Sequence, residues 1–412
     1  MANRNGGFIG TDGLDAPDPV TAVTPTAGNA QVSVAFTAPT DTGTSAITGF
    51  VAQVSTSTGD YSAGSNTGSS SPIVVSSLTN GTAATAKVWA INAYGTSAPS
   101  DASASFTPLA PPRAAMYGGR DNNSPTNIEN SIQYFVVSST GNASDFGNLT
   151  GAVVSPSSGS AGSITRSLSS AGTSNGADNG VTNVIAYVDL ATLGNATDFG
   201  DLSTSRQFSQ QCSNGVRAVI GYGTNSGGNN TTALEYVTIA STGNASSFGT
   251  GVNAGHAQGT GCASTTRGIF NGNGVIDYIT IGTTGNSTDF GDDVLGGAER
   301  SGHAAASNST RALFGGGTAT SDYHNEIAYV TIASTGNASD FGDLTVARNG
   351  LSGAAGGDRA VFMGGYSSGG HSNVIDYVTI TSTGNAQDFG DLVANLGQYR
   401  SGQMSSGHGG LG

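Results

Sequence analysis

Lysine is nearly missing from this sequence: Lys87 stands alone, and the other twelve of its 13 basic residues are arginines. Charged residues of every kind make up 10% of 412, against about 25% in ordinary globular domains. Coiled coils and long surface helices draw on Glu and Lys, so both are excluded. The basic residues stand singly among 27 acids, for a net charge of −14. A groove that tracks phosphates has no material here, which excludes nucleic acid as a partner. The two cysteines, Cys212 and Cys262, are too few for a disulfide framework. Their near-equivalent places in two repeats suit small core residues, and the sequence leaves open whether they pair. No run of 18 apolar residues occurs, and the opening MANRNGGFIGTDGLDAPDPV holds no apolar stretch of signal-peptide length. The expectation is a chain made in the cytoplasm, without membrane insertion. Glycine is abundant instead, at 65 residues, or about 16% where near 7% is usual, and this argues against a helical protein.

Residues 1–16 are polar and Gly-rich apart from Phe8, Ile9 and Leu14. Such a segment builds no core of its own and is read as an arm that docks on a partner. From 17 to 110 the pattern alternates in short runs, such as Gln31-Val32-Ser33-Val34-Ala35-Phe36 and Ala86-Lys87-Val88-Trp89-Ala90-Ile91, which predicts a small antiparallel sandwich. The opening Ala16-Pro17-Asp18-Pro19, the strand Ile47 to Val54 and the close Ile91-Asn92-Ala93-Tyr94-Gly95-Thr96-Ser97-Ala98-Pro99-Ser100 resemble a bacterial fibronectin type III domain. Phe36 stands where that family usually has tryptophan, and Ala84 where it has a corner tyrosine.

From 111 to 412 a unit of roughly fifty residues recurs six times, with the signature Tyr-Val-Thr-Ile … Thr-Gly-Asn-Ala-Ser-Asp-Phe-Gly-Asp-Leu. Its tyrosines are Tyr134, Tyr187, Tyr236, Tyr278, Tyr329 and Tyr377, each 12 residues before Phe146, Phe199, Phe248, Phe290, Phe341 and Phe389. Each unit offers four short strands: one starting at an arginine, one holding the tyrosine, one holding the phenylalanine, and one of tiny residues such as His303 to Ser307. A period of this length without helical pattern predicts propeller blades, with the tiny residues innermost where strands crowd. The first unit lacks an innermost strand and the tail from Ser401 to His408 supplies a spare one. The predicted fold is therefore all-β: an N-terminal arm, a sandwich, and a six-bladed β-propeller closed by the C-terminal strand. An open β-solenoid is the alternative.

Loops between the arginine and tyrosine strands vary in length, and variable loops carry binding more often than uniform turns. Their face bears Arg120, Asp121, Asp178, Tyr222, Tyr323, His324, Tyr366 and His371, a mixture suited to holding a sugar by hydrogen bonds and ring stacking. Solvated loops without a ligand are the competing reading. The repeated Asp145, Asp198, Asp289, Asp340 and Asp388 are read as caps of their own turns. Histidines His256, His303 and His408 fall in proposed innermost strands but out of register, so no metal site is expected. No cofactor is implied, and no nucleophile elbow or phosphate-binding loop argues for an enzyme.

The glycine pairs after the arginine strands are similar to kelch-type blades. As a whole, the opening Gly-Gly-Phe-Ile-Gly-Thr-Asp-Gly-Leu-Asp-Ala-Pro, the single sandwich and the Arg-Ala-Leu-Phe-Gly-Gly and Tyr-Val-Thr-Ile units resemble virion structural proteins of marine tailed phages, cyanophages among them. That resemblance implies a non-enzymatic protein on the virion exterior, of tail-fibre or appendage type. Its partners would be other virion proteins of capsid, neck or tail, bound through the arm, and host-surface polysaccharide, bound by many weak sites. A capsid or neck decoration is the alternative, and a polysaccharide depolymerase is a third reading.

Overall fold

The computed structural model describes residues 15–57, 59–120, 127–176, 178–252, 258–293, 300–393 and 400–411. Among these the chain is all-β, strands joined by loops and two 3-10 turns. No helix among them is long and apolar enough to cross a membrane. The chain divides into two compact units, 1–111 and 112–412. Phe8, Ile9 and Leu14 lie outside the described residues.

In the first unit, Thr21–Gly28, Gln31–Thr37 and Ile73–Ser76 form one antiparallel sheet, and Gly64–Gly68, Ile47–Ser55, Thr85–Asn92 and Gly95–Thr96 form another. Alternation along the strands sends Val32, Val34 and Phe36 from the first sheet, and Phe50, Val54 and Val88 from the second, into one buried core. Beyond Thr96 the N–H groups of Ser97, Ser100 and Ser103 bond to the carbonyls of Ala90, Val88 and Ala86. The three hydroxyls accept the N–H groups of those same alanines and valine. A serine at every third position matches the period of an extended polyproline-type backbone, and it seals a strand edge that would otherwise template pairing.

Among the described residues the second unit contains six antiparallel sheets of three or four strands that follow one another along the chain, and three two-stranded ribbons in the connections. The sixth is typical: Ser352–Gly356, Arg359–Met363, Val374–Thr379 and Gln387–Asp391, hydrogen-bonded in that order. Its inner strand is of tiny, mostly buried residues, as the sequence suggested. In the second sheet, a bridge between Gly162 and Ser167 takes the inner place. The first sheet is completed from the far end of the chain, where Gly402–Ser405 pairs with Arg113–Tyr117.

Each of these six sheets carries the same stack of side chains across three strands. The arginine that opens the second strand lies over the tyrosine ring, as Arg166 does over Tyr187 at 4.2 Å from its centroid. The tyrosine meets the phenylalanine edge-on, as in Tyr187 and Phe199 at 6.0 Å and 83°. Phe199 sits at a register shift in the outer pair, which is a β-bulge, and all six outer pairs share it. This stack accounts for the constant spacing between tyrosine and phenylalanine.

The arginines also reach forward. Arg113 Nη1 donates to the Leu190 carbonyl of the second sheet at 2.6 Å. Arg166 reaches Ile239, Arg217 reaches Ile281, Arg267 reaches Ile332 and Arg311 reaches Ile380 in the same way. Arg359 of the sixth sheet then donates to Val137 of the first at 3.0 Å. The Thr-Gly-Asn turns reach backward: Gly194 N–H bonds to the Phe146 carbonyl and Ala196 N–H to that of Asn148, while Asn195 Oδ1 accepts the Asn148 N–H at 3.0 Å. Gly141 N–H of the first sheet bonds to Phe389 of the sixth, and Asn142 Oδ1 accepts the Asp391 N–H. Both sets of bonds thus run from sheet to sheet and return to their start. The glycine after each phenylalanine is needed for the seat: a Cβ on Gly342, at φ 146°, would lie 2.5 Å from the Gly384 carbonyl.

This corrects one expectation. The amides of these turns bond to the preceding sheet, so Asp198 and its counterparts do not cap them; those aspartates are exposed on the outer strands. The histidines move too: His303 precedes its inner strand and His408 follows one, while His256 lies outside the described residues. Apolar clusters fill the space between consecutive sheets, and one joins the sixth to the first through Phe389, Val361, Met116 and Phe135. Cys212 and Cys262 are unpaired and buried on the third and fourth inner strands.

Past Ser405 the chain turns through His408–Gly410. His408 is buried; its Nδ1–H donates to the Ser405 carbonyl at 2.8 Å, and Nε2 faces the Ser213 hydroxyl at 2.7 Å. Burial pushes its pKa down to about 4, only partly opposed by the hydrogen bonds to Ser405 and Ser213.

Deleting residues 401–412 takes the inner strand from the first sheet and Met404 from its core. The expected loss is about 5 kcal/mol or more, the scale of a large buried side chain plus ladder hydrogen bonds. Urea midpoints of the 112–412 unit measure it, and an unchanged midpoint contradicts it. A second expectation concerns pH. The unfolded His408 takes up a proton near 6.5 and the folded one only near 4, so its contribution is full above pH 6.5, falls as pH drops toward 4, and is flat below. Across that window roughly 3 kcal/mol is lost, and His408→Gln is expected to reduce the slope of stability against pH; equal slopes would refute it.

Candidate functional site

On the way from each outer strand to the next inner strand lies a residue with positive φ at an equivalent place: Ser155, Phe208, Gln258, Gly302, Gly350 and Arg400, at 53°, 55°, 61°, 67°, 60° and 55°. Their backbones bond to one another. Phe208 N–H donates to Ser155, Ser155 to Arg400, Arg400 to Gly350, Gly350 to Gly302 and Gly302 to Gln258, each between 2.7 and 2.9 Å. Four of the six are not glycine, and each such residue costs about 1–3 kcal/mol in this region of backbone space. The collar of amide bonds holds that strain in place.

Three of the positions are braced from behind by an arginine two residues earlier. Arg348 is buried, with Nη2 on Asp376 Oδ2 at 2.8 Å and on the Phe362 carbonyl at 3.1 Å, and Nη1 on the Val374 carbonyl at 3.1 Å. Arg300 pairs with Asp293 at 3.1 Å, and Arg206 pairs with Glu235. Burial pushes Arg348 down despite Asp376, and pushes Asp376 up despite Arg348 and its bonds from Thr345. Arg206 is pushed down to about 10 by burial alone. Desolvation thus exceeds attraction on both sides of the Arg348 pair, which makes it a device for fixing geometry rather than a source of net stability.

The collar surrounds a cavity of about 50 Å³ lined by Ser155, Pro156, Ser158, Phe208, Gln258, Gly259, Gly302, His303, Asn349, Gly350, Leu351, Arg400 and Ser401. The Arg400 guanidinium lies over the Phe208 ring at 5.0 Å. Asn349 pairs through both backbone hydrogen bonds with Tyr366, so the cavity wall runs directly into the loops of the variable end.

Several residues singled out in the sequence meet there. The Tyr366 ring lies 6.2 Å from Tyr323 and 5.2 Å from His371, and all three are half-buried. His324 Nδ1 is 3.0 Å from Glu326 Oε2. Burial raises the Glu326 carboxyl, but its backbone bond, His324 and the charge of Arg300 leave it below the usual range. The Arg120 guanidinium lies against Gly176 in a loop of the second sheet. Tyr222 is a correction: it is fully buried, its hydroxyl donating to Asp277 with Ser287 Oγ 3.2 Å away. An aromatic ring beside an apolar space was drawn into the core between the third and fourth sheets. Asp121 lies outside the described residues, as does the side chain of Asp178. The residues that sequence reading missed are Phe208, Asn349 and Arg400; the one signal was their place just before a run of tiny residues.

Among the described residues no group of three or more His, Cys, Asp or Glu is placed to hold a metal ion. No protein-family model matches the chain, and no curated protein matches it.

Removing one member of a buried pair leaves a naked charge. Asp376→Ala is therefore expected to cost about 3–5 kcal/mol, and Arg348→Met with Asp376→Leu together much less; chemical melts of the three variants test the order.

Proposed function

We propose that this chain is a non-enzymatic protein of a tailed-phage virion exterior that holds host-surface glycans weakly and in many copies. In this reading the first unit is a fibronectin type III sandwich, and the second a six-bladed β-propeller whose last strand closes the first blade. The pairing of Gly402–Ser405 with Arg113–Tyr117 and the returning bonds of Arg359 and Gly141 support the closed form over an open stack. The resemblance to marine phage proteins supports the location, with virion proteins as the docking partners.

One observation carries the ligand class. Tyr323, Tyr366 and His371 present neighbouring, partly exposed rings at the end of the molecule where loop lengths vary. Sugar rings stack on such surfaces while their hydroxyls bond to flanking polar groups. Tyr366→Ala is expected to weaken retention on immobilised host-envelope polysaccharide about five- to tenfold per site, the scale of one lost ring contact. Multivalent display of the chain on beads makes the loss readable. Full retention by the variant removes the trio from recognition. If the native chain binds no envelope fraction, the decoration role replaces the attachment role.

A further inference from the structure

We infer that the first unit carries a second sugar site, a cleft at the Thr85 end of Thr85–Asn92 in which one pyranose ring stacks on Tyr61. The ligand class is that of the glycan reading above, but the residues are other ones, so the two fail separately.

The first ground is where the chain places its rings. Strand Thr85–Asn92 alternates, sending Ala86, Val88 and Ala90 into the core and leaving Thr85, Lys87 and Trp89 half-buried on the outward face. Trp89 is the chain's one tryptophan. The core is filled by Phe36 and Phe50 instead, so core packing does not account for an indole on the outer face. All three outward residues meet Tyr61, itself half-buried. The Thr85 hydroxyl lies 3.4 Å from that of Tyr61, Lys87 Nζ stands over the ring at 5.2 Å from its centroid, and the Trp89 ring meets it edge-on at 6.4 Å and 80°. A ring held by three partners loses little freedom when a ligand lands on it.

The second ground is the cleft that Tyr61 lines. It measures about 400 Å³, within the range of about 300–1,000 Å³ in which small ligands are held. The polar side chains described in its lining are hydroxyls, those of Ser55, Thr56, Ser57, Thr85 and Ser105 beside Tyr61 itself; Thr58, between two of them, lies outside the described residues. Thr56, Ser57 and Ser105 are exposed and open to a ligand. A hydroxyl both donates and accepts, which is the pairing that a sugar's own hydroxyls require. A ring wall set among hydroxyls favours a hydroxylated ring over an open polyol, which meets the hydroxyls and gains nothing from the ring.

Calorimetry on the full chain carrying Tyr366→Ala, which weakens the loop site, tests this with methyl glucoside, methyl galactoside, methyl mannoside and glycerol. At least one glycoside is expected to bind in the millimolar range and glycerol not at all. Trp89 fluorescence is expected to change saturably with the same midpoint, and it reports on the first unit alone because the chain has no other tryptophan. Adding Tyr61→Leu is expected to weaken binding about tenfold, the scale of one lost ring contact, and Tyr61→Phe to keep most of it, with thermal melts confirming that each variant is folded. No glycoside binding by the Tyr366→Ala chain, equal affinity after Tyr61→Leu, or glycerol binding as tightly as the glycosides overturns the inference. Weaker binding by Tyr366→Ala than by the native chain leaves the loop reading standing in any of those cases. Equal affinity of those two chains, with loss in Tyr61→Leu, upholds the cleft and overturns the loop trio.

Discussion

A single guanidinium, repeated six times, joins the three levels of the second unit. In each sheet it stacks on the tyrosine of the next strand and so fixes the side-chain column that ends at the phenylalanine bulge. Its Nη1 then donates to a backbone carbonyl one sheet further on. A cation over a ring contributes about 0.5–2 kcal/mol and a hydrogen bond from a charged donor about 1.5–3. Neither is large, but both are made by one side chain whose position within the strand allows no alternative. The turn bonds in the opposite direction give every sheet a second grip on its predecessor. Because Arg359 and Gly141 carry these bonds across from the sixth sheet to the first, no sheet has an unmatched outer neighbour.

Most of this order is readable before any coordinates. The strand sequence within a unit follows from the arginine, the alternation around the tyrosine and the tiny residues, each of which has one comfortable place in a crowded sheet. Completion of the first sheet follows from counting strands. What was not readable is where polar groups turn. The aspartates beside the phenylalanines look like turn caps because Asp commonly caps, but the asparagine three residues before them bonds to the preceding sheet instead, and only inter-sheet distance decides that. Tyr222 was read as a surface ring because its loop varies in length; Asp277 offered a buried acceptor that no local pattern announces. The serine ladder of the first unit was missed because a segment that borrows its hydrogen bonds through side chains has no strand periodicity.

The collar was illegible for a different reason. Its six residues share a backbone conformation and hardly anything else: serine, phenylalanine, glutamine, glycine twice and arginine. Identity is free there because the position is set by amide bonds to neighbours, while the buried arginines two residues earlier hold the connections from outside. Freedom of identity at a rigid position is a means of giving one scaffold different linings. The loops at the Tyr366 end differ in length from repeat to repeat as well, while the sheets that carry them keep one pattern.

The bond between the Arg113 N–H and the Ser406 hydroxyl spans 293 positions of sequence. During translation, the edge of Arg113–Tyr117 therefore waits for its partner while all the intervening sheets emerge from the ribosome. Throughout that interval the nascent chain carries an open strand of the kind that recruits stray segments. The buried alanines of that edge, Ala114 and Ala115, do little to deter them, so the edge stays open until Gly402–Ser405 is available to pair with it.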